Sequence, residues 1–188
     1  MRTQDITRHS MWESNVFQAT LPIYDDLLEF IINDSKTNAG QKKSNIGGFQ
    51  TGDDFHKNPI TNKLQEQIRE MVKVIFTMSK GDVSFLQMWG AINFPGNWNA
   101  PHYHHGLSDI TFGYYLQVPD NSGKLCIRDP RIRGLRSYFW VNLEPDIKSQ
   151  LPGPGTLLMF PSYLDHYVEP NLSNEDRIMI SGDLRISI

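Results

Sequence analysis

His102 and His104 stand two residues apart in Pro101-His102-Tyr103-His104-His105-Gly106, and His166 follows sixty-odd residues later in Phe160-Pro161-Ser162-Tyr163-Leu164-Asp165-His166. Neutral imidazole offers one lone pair at neutral pH and is a common ligand for divalent transition metals. In an extended segment, residues i and i+2 point to the same face, so His102 and His104 can aim at one ion while His105 points away. A third donor must then arrive from elsewhere, and His166 is the outstanding candidate. Two ligands from one stretch and one from a distant strand leave an open side on the metal, which suits iron that binds substrates and oxygen together. Arg177 lies eleven residues beyond His166. A fixed guanidinium near a metal can seat a dicarboxylate through a bidentate fork. Its plainer role is a surface salt bridge with Glu175 or Asp176.

Positioning such a set takes a rigid scaffold, and the patterning supplies one. Residues 22–34 carry Ile23, Leu27, Leu28, Phe30 and Ile31 at helical spacing, with Pro22 and Asp25-Asp26 suited to the first turn. Residues 36–57 are rich in Lys, Asn, Gly, Asp and Gln and read as a mobile loop, a possible lid. Asn58-Pro59 opens a second helix over 59–79, with Leu64, Ile68, Met71, Val72, Ile75 and Met78 as its buried stripe and Gly81 beyond its end. Strand-like runs then alternate with turn residues: 83–94, 109–118, 124–128, 137–143, 156–160, 166–169 and 177–187. Helices followed by strands predict an α+β domain, an antiparallel β-sandwich or barrel braced by helices on one face.

Composition narrows the classes further. A chain of 188 residues fits one domain with a real core. The formal charge of −3 gives no field to attract phosphate backbones, so no nucleic-acid partner is expected. Arg128, Arg131, Arg133 and Arg136 form a local basic cluster, either a solvated loop or a rim for an anionic substrate. The single cysteine, Cys126, excludes an intramolecular disulfide and fits a reducing compartment. No apolar run approaches the ~20 residues that span a membrane, and Met1-Arg2-Thr3-Gln4-Asp5 does not open a signal peptide. A soluble, cytoplasmic protein is the expectation.

An ordered series of motifs goes beyond these inferences. It comprises Phe94-Pro95-Gly96-Asn97, the His102-x-His104 pair, Thr111-Phe112-Gly113-Tyr114-Tyr115-Leu116, Gly123-Lys124-Leu125-Cys126-Ile127, Gly155-Thr156-Leu157-Leu158-Met159-Phe160-Pro161 and His166-Tyr167-Val168-x-Pro170, with Arg177 after it. In this order residues ~85–188 resemble the 2-oxoglutarate/Fe(II) dioxygenase superfamily, especially its prolyl-hydroxylase-like branch and related small microbial and phage proteins. The resemblance implies a double-stranded β-helix (jelly-roll) core over 81–188, supported by helices in 1–80, as one domain over 1–188. It implies Fe(II) held by His102 and His166, and 2-oxoglutarate as cosubstrate. Arg177 and Tyr115 would hold the far carboxylate of 2-oxoglutarate, and Asn93 sits near a position that touches it in some branches.

One departure matters. The family's usual His-x-Asp or His-x-Glu has His104 at its acidic position here. Either His104 is the third ligand, or Asp109 swings in, or two histidines leave a position open or have lost iron chemistry. The expected reaction is hydroxylation of a C–H bond in a small molecule or peptide, with release of succinate and CO2. Trp89, Trp98, Tyr103 and Tyr163 are candidate walls of the pocket. Two rivals remain: a three-histidine cupin-type enzyme without 2-oxoglutarate, and a β-sandwich binding module whose metal is incidental or structural. Arg177 has a defined task only where a dicarboxylate binds. The substrate itself is not readable, because pocket contacts come from loops.

Overall fold

The computed structural model describes residues 13–77, 81–104, 106–130, 147–150 and 152–187. The elements run β1 (Phe17–Thr20), α1 (Asp25–Thr37), β2 (Asn45–Ile46), β3 (Phe49–Gln50), α2 (Asn62–Ile75), β4 (Asp82–Asn93), β5 (Trp98–His102), β6 (Ile110–Gln117), β7 (Leu125–Arg128), β8 (Ile147–Gln150), β9 (Thr156–Pro161), β10 (His166–Val168) and β11 (Arg177–Ser187). They form a large sheet in the order β1-β9-β6-β11-β4-β3 and a small one in the order β2-β5-β10-β7-β8. All strand pairings within both sheets are antiparallel. This is the expected helix-braced antiparallel architecture, and β11 and β10 occupy interior positions in their respective sheets.

Period-two alternation divides the large sheet into two faces. Phe112 and Tyr114 of β6, Ile178, Ile180 and Leu184 of β11, and Leu157 and Met159 of β9 share one core cluster with Leu27 and Ile31 of α1 and Leu64, Ile68 and Val72 of α2. Burying these side chains is what holds the helices on that face. Gly90 of β4 lets α1 approach, since a Cβ there would lie 2.5 Å from Ile31. The opposite parity of the same strands contributes Tyr115, Leu158 and Phe160 to a second cluster, with Leu125 of β7, Val168 of β10 and Leu164. That cluster packs between the two sheets.

The stretch 36–57, expected as a mobile loop, carries β2, β3 and a 3-10 turn over Phe55–Lys57. Gly47 and Gly48, with φ of 73° and 69°, turn the chain between β2 and β3. Phe49 and Phe55 are buried amid the polar composition and tie the segment down. The second helix likewise starts later than expected: a 3-10 turn over Pro59–Thr61, with the Asn58 side chain accepting from Ile60 N, precedes α2. The expected strand 137–143, together with Arg131, Arg133, Arg136 and His105, lies outside the described residues. Among the described residues no helix is long and apolar enough to cross a membrane.

Candidate metal centre

His166 of β10 pairs directly with His102 of β5 in the small sheet. Their side chains therefore leave the sheet side by side, with ring centroids 4.4 Å apart. His104 lies just past the end of β5, where its backbone N–H donates to Ser162 O at 2.9 Å. That bond turns its ring back towards the pair, 5.3 Å from His102 and 5.2 Å from His166. One ring nitrogen from each of the three lies within 4.8 Å of the other two. Asp109 does not join them: its carboxylate accepts from Ile186 N at 2.8 Å, which leaves His104 as the third donor in the group.

The hydrogen bonds fix which nitrogen faces inward. His102 Nδ1 lies 2.7 Å from Ala100 O, and His166 Nδ1 2.9 Å from Leu164 O. His104 Nδ1 lies 2.6 Å from Asp183 Oδ1. A carbonyl and an ionised carboxylate only accept, so each Nδ1 carries the proton and each Nε2 keeps its lone pair. Three neutral imidazole lone pairs converging on one point, with part of the surroundings open, is a donor set that fits Fe(II) or a similar divalent ion.

Burial also opposes charging of His166 and His102. Burial, with the His102 charge adding to it, pushes the His166 pKa down to about 3 against the pull of Leu164 O. His102 is lowered as well, first by its own burial. An unfolded chain protonates His166 near its ordinary value of about 6.5. Between that pH and about 3 the unfolded state takes a proton that the folded state refuses, so the metal-free fold loses stability as the solution is acidified. From His166 alone the loss reaches about 2 kcal/mol by pH 5. Urea denaturation of chelator-treated protein at pH 7 and pH 5 should show it, and His166→Gln should flatten the difference. An equal decline in both proteins would assign the acid sensitivity elsewhere.

At the other end of the inner face of the large sheet, Arg177 is only 1% exposed. Its guanidinium carbon lies 5.1 Å from the centroid of the Tyr115 ring. Its Nε and Nη2 find no acceptor among the described residues. The surface salt bridge with Glu175 or Asp176 is thereby replaced by a buried cation. Burial pulls the guanidinium down from its ordinary pKa and pushes the Tyr115 hydroxyl up, each opposed by the other residue. Asn93 pairs with Arg177 across β4 and β11, and its amide donates to Asn99 Oδ1 at 3.0 Å. Trp89 stacks on His104 at 5.8 Å, Trp98 is half-buried, and Tyr103 and Tyr163 are largely exposed. Arg128 is committed to Asp165 at 3.0 Å.

Three residues of the centre went unread in the sequence: Asp183, Gln87 and Thr111. Asp183 accepts from His104, from Thr111 Oγ1 at 2.7 Å and from Gln87 Nε2. Gln87 and Thr111 are its register partners on β4 and β6. Burial pushes its carboxyl up, but the hydrogen bonds from His104, Gln87 and Thr111 outweigh that and hold it below the ordinary value. A signal did exist. Asp183 shares the strand parity of Arg177, and an acid inside an apolar strand calls for a partner.

The profile of the family described as "Putative 2OG-Fe(II) oxygenase" matches residues 87–183, just over half of the chain. No curated protein matches. Among solved structures, the α-ketoglutarate-dependent epimerase SnoN from nogalamycin biosynthesis superposes with a TM-score of 0.69 at 11% identity, covering 92% of this chain and 76% of its own. The viral collagen prolyl hydroxylase of Paramecium Bursaria Chlorella virus-1 does so with 0.61 at 17%, covering 92% and 96%. A prolyl-4-hydroxylase of Pseudomonas putida gives 0.62 at 16%, covering 92% of both chains. At such identities the likeness is one of fold, a jelly-roll core, while the profile match runs from within β4 to within β11 and takes in His102, His104, His166 and Arg177. The chain belongs to the 2OG-Fe(II) oxygenase family.

Proposed function

We propose that the chain, as one domain over 1–188, is a hydroxylase in which His102, His104 and His166 hold Fe(II) and Arg177 with Tyr115 holds the distal carboxylate of 2-oxoglutarate. The observation that carries this reading is Arg177. A fully buried cation with two nitrogens that find no acceptor among the described residues is costly to the fold. It suits a site that receives a carboxylate. With O2 as the oxidant, bound iron and 2-oxoglutarate would supply C–H hydroxylation, one oxygen atom going to the product and the other to succinate as CO2 leaves.

The chain's own residues bind, orient and exclude water. The three Nε2 atoms offer the ion neutral donors, and their Nδ1 protons are already tied off by acceptors. Arg177 and the Tyr115 hydroxyl orient a dicarboxylate at the far end of the inner face, with Asn93 beside them. Leu158, Phe160 and Leu164 make the layer between the sheets apolar. A small molecule or a peptide side chain would approach from the side of Tyr103 and Tyr163. A three-histidine enzyme that does not use 2-oxoglutarate gives Arg177 nothing to bind.

The test is anaerobic titration with Fe(II) and then 2-oxoglutarate, followed by the weak visible charge-transfer absorption of the chelate. Turnover is read as succinate formed with an oxidised product. Absence of the band in metal-loaded protein, or oxygen uptake that does not require 2-oxoglutarate, would defeat the proposal.

A further inference from the structure

His102 and His166 each tie Nδ1 to the carbonyl two residues back in their own chain. His104 does not. Its Nδ1 reaches instead across 79 residues of sequence to Asp183 on β11. The pair is buried, with the side chain of His104 8% exposed and that of Asp183 2%. Asp183 is itself clamped: Thr111 Oγ1 donates to Oδ1 at 2.7 Å, and Gln87 Nε2 to Oδ2. Among the described residues it is the only carboxylate hydrogen-bonded to any of the three rings. The other acid that acts on these rings, Asp165, is paired with Arg128.

We propose that Asp183 is a positioning residue: it fixes His104 with its proton on Nδ1 and its Nε2 lone pair towards His102 and His166, and it places a negative charge one imidazole away from the ion. This rests on the assignment of the three histidines to a metal. Three neutral ligands do nothing to balance a divalent cation in a buried site, and a carboxylate behind one ring does so without taking a coordination position. Carboxylate–histidine–metal arrangements of this kind orient the ring and raise its basicity, and losing the carboxylate typically costs 10–100-fold in metal affinity.

The experiment compares Asp183→Asn in two backgrounds, with Co(II) as an oxygen-stable probe in calorimetry. With His104 present, the substitution should weaken Co(II) binding by about 10–100-fold. In a His104→Asp background there is no imidazole to orient, and adding Asp183→Asn should leave the affinity within about twofold or strengthen it. Equal weakening in both backgrounds would reduce Asp183 to scaffolding and overturn the proposal. So would unchanged affinity with His104 present. A second readout needs no metal and does not depend on the His104→Asp protein folding. Two-bond 1H–15N spectra of the metal-free wild type should show His104 protonated at Nδ1, and Asp183→Asn should move population to the Nε2–H form. An Nε2–H tautomer in the wild type would equally overturn it. If wild-type protein bound no Co(II) while His104 showed the Nδ1–H pattern, the metal assignment would fail, not the Asp183–His104 contact.

Discussion

His166→Ala should fold and lose its iron. His166 faces His102 directly across β10 and β5, and its ring packs edge-on against Phe160 at 5.0 Å. Removing it takes away one donor of three and the donor fixed by an interior strand of the small sheet. The affinity loss should exceed the ~100-fold that attends loss of a mere supporting partner. Metal content after anaerobic Fe(II) loading and dialysis measures it. The companion variant Asp109→Asn should retain its iron, because that carboxylate is occupied by Ile186 N. Undiminished iron in His166→Ala would reject the centre, and loss in Asp109→Asn would reopen the choice of third ligand. The small cavity left beside Phe160 and Leu164 should cost some stability, but the same deletion removes a group that resists protonation. After chelation the deficit relative to wild type should therefore be largest near neutral pH and shrink as the solution is acidified.

Arg177→Met should make the metal-free protein more stable and the loaded protein nearly blind to 2-oxoglutarate. The two effects share one cause. Arg177 is buried at 1% exposure, with Nε and Nη2 unpartnered among the described residues. Substituting a well-packed apolar side chain for buried charge is neutral or stabilising by up to about 1–4 kcal/mol. For a chain of this length that corresponds to roughly 2–10 °C in Tm. Binding moves the other way. Truncating one partner of a buried charge pair costs about 2–5 kcal/mol, so the Kd for 2-oxoglutarate should rise on the order of 100-fold or more. Thermal unfolding of chelated protein and calorimetry of the Ni(II)-loaded form read the two halves separately. A lower Tm with unaltered 2-oxoglutarate binding would show that Arg177 serves the fold and not the cosubstrate. Methionine is flexible enough to fill the space beside Tyr115 and Met179 without forcing either.

The sequence is most legible where burial writes a period. The long runs of β4, β6, β9 and β11 are rich in β-branched, aromatic and other apolar residues, continuous in β6 and β9, and are expected nearly to their ends. The strands that escape reading are short and polar. β5 is Trp-Asn-Ala-Pro-His, and only its pairing with β10 and β2 makes it a strand. The segment holding β2 and β3 looks like loop by composition, because two buried aromatics are too few to register as a period. The histidines are legible because i, i+2 spacing already dictates a shared face, and the ordered motifs supply Arg177 and Tyr115. What surrounds them is not. The acceptor behind His104 is 79 residues away, and no local pattern joins the two. Gln87 and Thr111 meet at Asp183 through register, which exists only once β4, β11 and β6 are laid side by side.

β11 carries two vocabularies at once. Ile178, Ile180 and Leu184 turn to the helices, while Arg177, Met179 and Asp183 belong to the inner face with Tyr115 and Thr111. The strand therefore has a reading frame of two. Side-chain identities on one face can be exchanged without disturbing the other, so new substrates can be accommodated without refolding the scaffold. Gain or loss of a single residue between Arg177 and Asp183 would instead turn the ends of the strand against each other, driving one charge into the oily layer under α1 and α2. Within this stretch, variation in length should be far rarer than variation in kind.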